Sequence, residues 1–246
     1  MKALILAAGY AVRLYPLTKR FPKPLLKVAD RPIIDYIVDK LVLIDAIDEI
    51  IVVTNNKFFG KFRQWSKQRK SKKRITLVND LTISPEDRLG AIGDIHFCIN
   101  KKKVKEDLLV VGGDNLLEDD LGRFISYVKK QKAHPVIGVY DIKDKREASK
   151  YGVIKLDKKK QIIDFQEKPE KPKSSLVAMC LYYFPKEKLN LIQEYMADEA
   201  NRKDATGFYI DWLRLRCMVY GFVFKRQWFD IGDRKFYDKA NKTFTN

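Results

Sequence analysis

Short apolar runs alternate with amphipathic stretches over the first 140 residues of the chain. Runs such as Lys2–Ala8 and Glu49–Thr54 are short and almost entirely apolar, which is typical of buried parallel strands. Between them, apolar residues recur at helical spacing from Ile33 to Leu41, directly after Pro32, a residue that suits the first position of a helix. The same patterns predict further strands at Arg74–Val78, Asp107–Val111 and Pro135–Tyr140, and helices at Phe58–Lys70, Gly90–Asn100 and Leu121–Lys132.

After residue 140 the alternation gives way to consecutive strand patterns, as in an antiparallel insert. The predicted elements are strands at Tyr151–Leu156, Ile162–Gln166, Leu176–Phe184 and Val219–Phe224, and helices at Lys186–Ala200, Gly207–Arg216 and from Arg234 onward. The alternating first part predicts an α/β fold with a mostly parallel central sheet and a small antiparallel insert. Because no long linker interrupts the chain, we expect a single domain over residues 1–246, with halves at 1–140 and 141–246.

Composition narrows the class of protein. The 246 residues are 46% hydrophobic, which excludes a disordered chain. No apolar stretch is long enough to cross a bilayer, so we expect no membrane association and a cytoplasmic location. The three cysteines (Cys98, Cys180 and Cys217) are widely spaced in apolar contexts and are expected to be small buried hydrophobes.

The chain carries 49 Lys+Arg against 32 Asp+Glu, a formal net charge of +17. A basic run at Lys67–Arg74 raises the alternative of nucleic-acid binding. Such runs usually belong to a solvated helix end and loop, and no nucleic-acid module accompanies this one. We therefore expect no nucleic-acid partner, and we look for small polyphosphates as the anionic ligands.

The segment after the first predicted strand is the richest in candidate chemistry. Gly9 follows the strand directly, so backbone amides can approach a phosphate group and form a nest for its oxygens. Arg13 and Lys23 add two positive charges to the same loop. The dinucleotide fingerprint G-x-G-x-x-G and the Walker A motif both fail here. On residue types alone, a phosphate loop and an ordinary loop with two solvated cations remain equally open.

Three acidic positions are further candidates. Asp114 follows a strand and two glycines, so it can hold a cation such as Mg²⁺ or serve as a turn residue. Asp230 lies between bulky apolar residues, where a carboxylate is costly to bury unless a metal or a base neutralises it. Its alternative role as a helix N-cap suits Asp233 better. Glu167 and Lys168 end a strand before Pro169, which holds the backbone extended; a salt-bridged loop is the alternative.

Taken in order, these segments resemble the sugar-phosphate nucleotidylyltransferases. The opening signature of that family, L-A-A-G-x-G-T-R-L-x-P-L-T followed by P-K-P-L-L, is closely matched by Leu6–Thr18 and Pro22–Leu26. The similarity continues over nearly the whole chain, through Leu89-Gly90, Gly113-Asp114, Tyr151-Gly152, Glu167-Lys168-Pro169 and Trp228–Gly232. The short, single-domain members, such as those resembling glucose-1-phosphate thymidylyltransferases, are the most similar in organisation.

The resemblance implies a Rossmann-like three-layer fold and an enzyme of EC type 2.7.7. Its reaction would join a nucleoside triphosphate (NTP) to a sugar 1-phosphate, giving an NDP-sugar and pyrophosphate. Asp114 and Asp230 would hold Mg²⁺ as the cofactor. Catalysis would consist mainly of positioning and charge neutralisation, as in other phosphoryl transfers. Family members often self-associate, so a homo-oligomer is also an expectation.

The resemblance also implies a role for each remaining candidate residue. Arg13 would bind the β- and γ-phosphates, Lys23 would neutralise charge at the α-phosphate, and Lys168 would hold the acceptor phosphate. Glu167 and the backbone of Gly152 would face the sugar. The nucleotide site as a whole would comprise Leu6, Ala8, Gly9, Arg13, Lys23, Gly90 and Asp114.

Departures from the family pattern leave the substrates open. Ala11 and Val12 replace the second glycine and the threonine of the opening signature, and Ala178 replaces an asparagine that often contacts the sugar. The alternatives are a cytidylyltransferase acting on a non-sugar phosphate such as phosphocholine, and a non-catalytic regulator that binds nucleotide sugars. Because no acyltransferase-like extension follows, a bifunctional long form is not expected.

Overall fold

The computed structural model describes residues 1–244, which form thirteen strands and eight α-helices. The strands are β1 (Lys2–Leu6), β2 (Lys27–Val28), β3 (Arg31–Pro32), β4 (Glu49–Thr54), β5 (Arg74–Asn79), β6 (Leu108–Gly112), β7 (Asn115–Leu117), β8 (Val136–Asp141), β9 (Gly152–Leu156), β10 (Ile162–Glu167), β11 (Leu176–Phe184), β12 (Tyr220–Phe224) and β13 (Trp228–Asp230). The helices are α1 (Ile33–Val42), α2 (Phe59–Gln68), α3 (Gly90–Lys102), α4 (Leu121–Lys130), α5 (Lys145–Ala148), α6 (Asn190–Ala197), α7 (Thr206–Arg214) and α8 (Arg234–Phe244).

The predicted α/β fold class is confirmed, and the long elements lie close to their predicted bounds. Two helix predictions need correction. Pro32 does not begin α1 but precedes it, because its backbone is extended and pairs with Lys27 in a short hairpin. The single helix predicted over Lys186–Ala200 is a 3-10 turn at Lys186–Lys188 followed by α6.

The chain divides into two compact units, each assembled from separate segments. The first unit contains residues 1–89, 111–118 and the segment from residue 226 onward. The second contains residues 90–110 and 119–225. Each unit therefore draws on both halves of the chain, and the predicted division at residue 140 stays a prediction.

A parallel sheet with strand order β1-β4-β5 forms the centre of the first unit, to which the last two residues of β6 also belong. β1 pairs with β4 from Lys2–Glu49 onward, and β4 pairs with β5 in parallel register. Every residue of β4 is buried, as its apolar centre Ile50-Ile51-Val52-Val53 predicts, including the polar end residues Glu49 and Thr54. Since the carboxyl ends of parallel strands meet at one sheet edge, the loops after β1, β5 and β6 emerge together.

A small antiparallel pair, β7 with β13, lies beside this edge of the first unit. Its apolar side chains belong to a buried cluster that includes Leu14, Leu116, Phe229 and Ile231. Each of these residues lies within two positions of a candidate site residue. The hydrophobic cluster thus fixes the backbone from which the charged side chains project.

The second unit is built on strands β10-β9-β11-β8-β12. Every adjacent pair is antiparallel except β8 with β12, which is parallel. A group of aromatic rings from β11, α6 and α7 packs beside this sheet, formed by Phe184, Tyr195, Tyr209 and Trp212. The predicted antiparallel insert corresponds to β9, β10 and β11.

The basic run at Lys67–Arg74 differs from the predicted solvated surface. Arg69 has a side chain that is only 14% exposed, and it forms ion pairs with Asp35 and Asp39 of α1. The ammonium of Lys73 donates to the carbonyl oxygen of Ile47 at 2.7 Å. Part of this run therefore fastens α2 and the following loop to the rest of the first unit.

The cysteine prediction is correct for one residue and needs correction for two. Cys98 is buried, whereas Cys180 and Cys217 are only partly buried, and none of the three forms a disulfide within the described residues. Among the described residues, no helix has the length and apolarity needed to span a membrane.

Gly90 begins α3 with a φ of +77°, a backbone conformation that side chains disfavour. A Cβ at this position would also clash with the carbonyl oxygen of Lys203 and lie 3.2 Å from the Cα of Asp204. The glycine is thus required by packing within the second unit, whatever its part in binding nucleotide.

We predict that Gly90→Ala lowers the free energy of unfolding by about 2–4 kcal/mol, from backbone strain and overpacking together. Thermal and urea unfolding monitored by circular dichroism will measure the change. Gly60→Ala is the matched control, because a Cβ at Gly60 in α2 meets nothing within 4 Å. It should be neutral or stabilising by up to about 1 kcal/mol. Equal stability of the two variants would contradict the packing argument.

Candidate active site

The loop after β1 carries Gly9 to Arg13 and keeps the backbone shape of a glycine-rich loop. Ala11 is left-handed (φ 48°, ψ 47°) although it has a side chain. Its carbonyl oxygen accepts hydrogen bonds from the hydroxyl of Thr18 at 2.7 Å and the amide of Leu14 at 3.0 Å. The family's glycine is therefore replaced in sequence at Ala11, while the loop retains the conformation that glycine favours.

Arg13 projects from a 3-10 helix, Val12–Leu14, that is held by the buried side chain of Leu14. Within the described residues, its guanidinium makes no hydrogen bond and no ion pair. One of its amino groups would lie 3.9 Å from a Cβ at Gly232, and a carboxylate oxygen of Asp230 would lie 3.7 Å from the same point. Both charged groups therefore lie close to Gly232.

Lys23 lies between the two candidate aspartates. Its ammonium forms an ion pair with the carboxylate of Asp114 and donates to the carbonyl oxygen of Ile231 at 3.0 Å. The side chain of Lys23 is 16% exposed and that of Asp114 is 24% exposed. The ammonium therefore connects the loop after β1 to residues that follow β6 and β13.

The antiparallel register explains why residues so far apart in sequence meet. Asp230 pairs directly with Asn115, the residue after Asp114. The indole N–H of Trp228 donates to the side-chain oxygen of Asn115 at 3.0 Å, which fixes this register. Asp233 then accepts a hydrogen bond from the amide of Phe236 at 3.0 Å, which confirms its predicted role as the cap of α8.

The electrostatics of this group favour a charged lysine. Burial by itself lowers the pKa of Lys23, but the carboxylates of Asp114 and then Asp230 outweigh that effect, so the pKa lies above its ordinary value. Arg13 acts in the opposite direction as a nearby like charge. The ammonium thus stays protonated at neutral pH and neutralises carboxylates that would otherwise repel each other.

A cavity of about 410 Å³ opens over this loop in the first unit. It is lined by Leu6, Ala7, the loop Gly9–Arg13, Lys23, Pro24, Pro85, Arg88 and Asp114. Three basic side chains thus line it against one carboxylate, a balance that favours an anionic ligand. Ala8 does not line the cavity, because it is buried and its carbonyl oxygen accepts a hydrogen bond from Asn55 at 2.8 Å.

Asp114 and Asp230 are the candidate ligands for Mg²⁺ at this site. Within the described residues there is no cluster of three or more His, Cys, Asp or Glu that could hold a metal. Asp114 and Asp230 nevertheless act on the same ammonium, so both carboxylates interact with one positive charge. Mg²⁺ in nucleotide sites commonly uses one or two carboxylates together with substrate phosphates. The two aspartates fit an ion that enters with a nucleotide.

The second unit brings together the other candidates. Glu167 pairs with Gly152 in the register of β10 and β9. The ammonium of Lys168 lies 3.7 Å from the Glu167 carboxylate, and its amide donates to the carbonyl oxygen of Tyr151 at 3.0 Å. Lys168 is left-handed, with a φ of 47°, and its side chain is 59% exposed. The backbone turn thus separates a buried carboxylate from an accessible ammonium.

Two glycines make room for the Glu167 carboxylate. A Cβ at Gly207 would clash with its oxygen, and a Cβ at Gly152 would lie 3.1 Å from the same oxygen. Burial raises the pKa of Glu167, and the neighbouring Lys168 reduces the shift without cancelling it. The carboxylate is therefore held in an environment that disfavours its charge, as in many ligand-binding sites.

The structure thus groups the predicted residues in two sets. Five of them (Leu6, Gly9, Arg13, Lys23 and Asp114) line one cavity with Asp230 beside it, and Gly152, Glu167 and Lys168 meet in the second unit. The structure explains Ala8 and Gly90 by packing and backbone conformation, and their contacts with a nucleotide stay predictions. The sequence interpretation missed Arg88, Pro85 and Gly207, because none belongs to a motif or a strand end. Only the short spacing of Arg88 from Leu89-Gly90 could have indicated it.

We predict that Asp114→Asn lowers the pKa of Lys23 from above to below that of ordinary lysines. Its largest raising interaction is lost while its burial persists. NMR titration of ¹³C- and ¹⁵N-labelled lysines will follow the ammonium. Asp233→Asn is the control, because asparagine also caps helices and Asp233 is not among the groups that chiefly shift the pKa of Lys23. An unchanged Lys23 titration in Asp114→Asn would contradict the ion pair.

We predict that Glu167→Gln raises the melting temperature at pH 7–8. The folded pKa of Glu167 is raised, so the native state binds more protons than the unfolded state between the ordinary and raised values. Wild-type stability from this residue therefore falls as pH rises through that window. The difference in melting temperature between the variant and the wild type should decrease as the pH falls toward the ordinary pKa of a glutamate. Scanning calorimetry against pH will test this, with the exposed Glu170→Gln as control. A destabilised Glu167→Gln would show that the carboxylate is not strained.

Comparisons with known proteins agree with the fold and the motifs. A family model described as nucleotidyl transferase matches residues 2–246. The chain is 30% identical over 243 residues to a bifunctional protein GlmU of Methanocaldococcus jannaschii, covering 98% of this chain and 54% of the relative. It is 27% identical over 255 residues to a glucose-1-phosphate adenylyltransferase of Bacillus subtilis, covering 97% of this chain and 66% of that protein. The chain thus spans little more than half the length of the archaeal relative.

A solved structure shares the fold. UDP-glucose pyrophosphorylase in complex with UDP-glucose superimposes with a TM-score of 0.82 at 20% identity, covering 99% of this chain and 97% of the other. The resemblance indicated by the opening signature and by the order of the later motifs is confirmed by the match over nearly the whole chain. The chain belongs to the nucleotidyl transferase family.

Proposed function

We propose that the chain transfers a nucleotidyl group from an NTP to a sugar 1-phosphate, forming an NDP-sugar and releasing pyrophosphate. The observation that carries the proposal is the group around Lys23, a buried ammonium between two aspartates at the edge of a cation-lined cavity. Such a group can neutralise phosphates without a nucleophilic side chain, as this reaction requires.

The nucleotide phosphates bind at the loop after β1. Arg13 is the best candidate for the β- and γ-phosphates, since its guanidinium has no hydrogen bond or ion pair within the described part of the chain. A bidentate guanidinium contact suits phosphate oxygens and would stabilise the departing pyrophosphate. Lys23 is fixed by Asp114 and the Ile231 carbonyl, so it can hold charge near the α-phosphate without reorganising.

Mg²⁺ would be held by Asp114 and Asp230 together with phosphate oxygens. When bound, it supplies charge neutralisation and orients the phosphates for in-line displacement. Lys23 already pairs with both carboxylates electrostatically. We infer that the ammonium shifts its interaction from the carboxylates toward phosphate oxygens when the nucleotide binds.

The acceptor binds at the Glu167–Lys168 group of the second unit. Lys168 offers an accessible ammonium to the acceptor phosphate, and Glu167 offers a carboxylate to sugar hydroxyls. Burial makes that carboxylate a stronger hydrogen-bond acceptor than one in water, since few waters compete for it. A phosphate with no hydroxyl-bearing group, such as phosphocholine, would give it no hydrogen bond and would offset its charge only through the quaternary ammonium.

The reaction balances without a covalent enzyme intermediate. An oxygen of the acceptor phosphate forms a bond to the α-phosphorus, and the bond between that phosphorus and the bridging oxygen to the β-phosphate breaks. Both electrons of the broken bond leave with pyrophosphate. Positioned cations are the principal contribution of the protein to this step.

We predict that the wild type releases pyrophosphate in the presence of Mg²⁺, and that Asp114→Asn lowers kcat/KM by about 100-fold or more. A coupled pyrophosphate assay will measure both over five NTPs. The acceptors are glucose, mannose and N-acetylglucosamine 1-phosphates, and phosphocholine. Asp233→Asn serves again as the control and should retain activity.

The outcomes separate the alternatives. Turnover with CTP and phosphocholine alone would replace the sugar acceptor with a choline-type one. Nucleotide-sugar binding without turnover for any pair would favour the non-catalytic regulator. Full activity of Asp114→Asn would remove Asp114 from the metal and phosphate site.

A further inference from the structure

Arg88 lines the same cavity as the phosphate loop but belongs to none of the family motifs in the sequence. One of its guanidinium amino groups donates to the carbonyl oxygen of Pro85 at 2.7 Å. It forms no ion pair within the described residues, and its other N–H groups have no protein partner there. The side chain is thus anchored on one side and available on the other.

The loop that carries Arg88 is preorganised. Asp87 accepts hydrogen bonds from the amides of Ile83 and Ser84, at 2.9 and 2.8 Å. Near its start, Thr82 bonds the hydroxyl of Tyr10 at 3.1 Å, which ties the loop to the one after β1. Those amide hydrogen bonds hold the pKa of Asp87 below its usual range, so the loop keeps this form at neutral pH.

Arg88 lies on a loop that follows a different strand from those that precede the phosphate-binding residues. Along the sheet edge the order is β6-β1-β4-β5, with Asp114 after β6, Gly9 after β1 and the Arg88 loop after β5. Neighbouring strands lie about 4.8 Å apart, so β5 and β6 are separated by about 14 Å. A nucleotide whose phosphates bind at Asp114 and Arg13 can therefore reach the loop after β5 with its base, and Arg88 lines the same cavity from that loop.

Arg88 lines the cavity from the loop after β5, and its guanidinium has N–H groups without a protein partner among the described residues. Tyr10 also lines the cavity, but it is buried and its hydroxyl is engaged with Thr82. A guanidinium only donates hydrogen bonds, in a planar fork. It matches a base edge that presents adjacent acceptors and disfavours one that presents an amino group.

We propose that Arg88 recognises the nucleobase and makes guanine the preferred base of this site. Guanine presents O6 and N7 together, the edge to which arginine forms bidentate hydrogen bonds. At the corresponding edge adenine and cytosine place an amino donor, N6 or N4, where Arg88 also donates, and the adjacent acceptors of cytosine, N3 and O2, lie at a different edge of the base. Uracil and thymine offer one carbonyl at the corresponding edge and rank between. This inference rests on the proposed function for its triphosphate, but its selectivity is measurable by binding alone.

The test compares nucleotide binding and turnover in wild type, Arg88→Gln and Arg88→Lys. Isothermal titration with GTP and ATP, in Mg²⁺ and without acceptor, gives the base preference. We expect the wild type to bind GTP about tenfold or more tightly than ATP. Glutamine donates and accepts, and so matches adenine N6 and N7. Arg88→Gln should therefore reduce or reverse the preference, and Arg88→Lys should weaken it because the fork is lost.

Arg63→Gln is the matched control, because Arg63 is exposed on α2 and the same charge is removed. It should leave the GTP-to-ATP ratio unchanged. A wild type that prefers ATP or CTP would overturn the inference, as would an Arg88→Gln variant that loses affinity equally for all nucleotides. The latter result would make Arg88 a phosphate ligand. Selective GTP binding without pyrophosphate release would instead overturn the proposed function and leave the base assignment intact.

Discussion

The buried ammonium of Lys23 holds the candidate active site together. It pairs with Asp114, feels the charge of Asp230 and donates to the Ile231 carbonyl, so one cation connects three separate segments. Removing a partner from such a group leaves a desolvated charge, which costs more than the pair contributes when intact. The hydrophobic cluster around Leu14 and Ile231 supplies the rigidity that this arrangement needs. Hydrophobic packing thus fixes the backbone of the candidate site, and its charged side chains favour an anionic ligand.

The Glu167 environment follows a different principle. Here the absence of side chains at Gly152 and Gly207 creates the space for a carboxylate that burial disfavours. Proteins commonly accept lower stability at a binding site in exchange for a group that interacts strongly with its ligand. The two units therefore prepare their charged groups for a ligand in opposite ways. The first unit neutralises its charges internally, and the second leaves the Glu167 carboxylate poorly solvated.

Much of the fold was predictable because buried strands are short, apolar and bounded by polar residues. Glu49–Thr54 and Leu176–Phe184 lie at their predicted bounds. The 3-10 turns and the strand pair β7 with β13 were not predicted, since three-residue elements have no periodicity. The candidate residues followed from motif order, and Arg13, Lys23 and Asp114 do line one cavity. Arg88 was not predicted because its position depends on the loop conformation that Asp87 stabilises. Gly207 was not predicted because Glu167, the residue it contacts, lies forty positions earlier in the sequence.

The distance in sequence between partners has a consequence for how the protein is made. Lys23 and Ile231 are 208 positions apart, so their hydrogen bond cannot form until the segment that contains Ile231 has left the ribosome. Contacts of such long range form late, because the entropy of closing the loop must be overcome first. Nascent or proteolytically shortened chains that lack the segment from Trp228 to Gly232 will also lack Asp230 and the partner strand of β7. The phosphate-binding site can thus form only in chains that contain this segment.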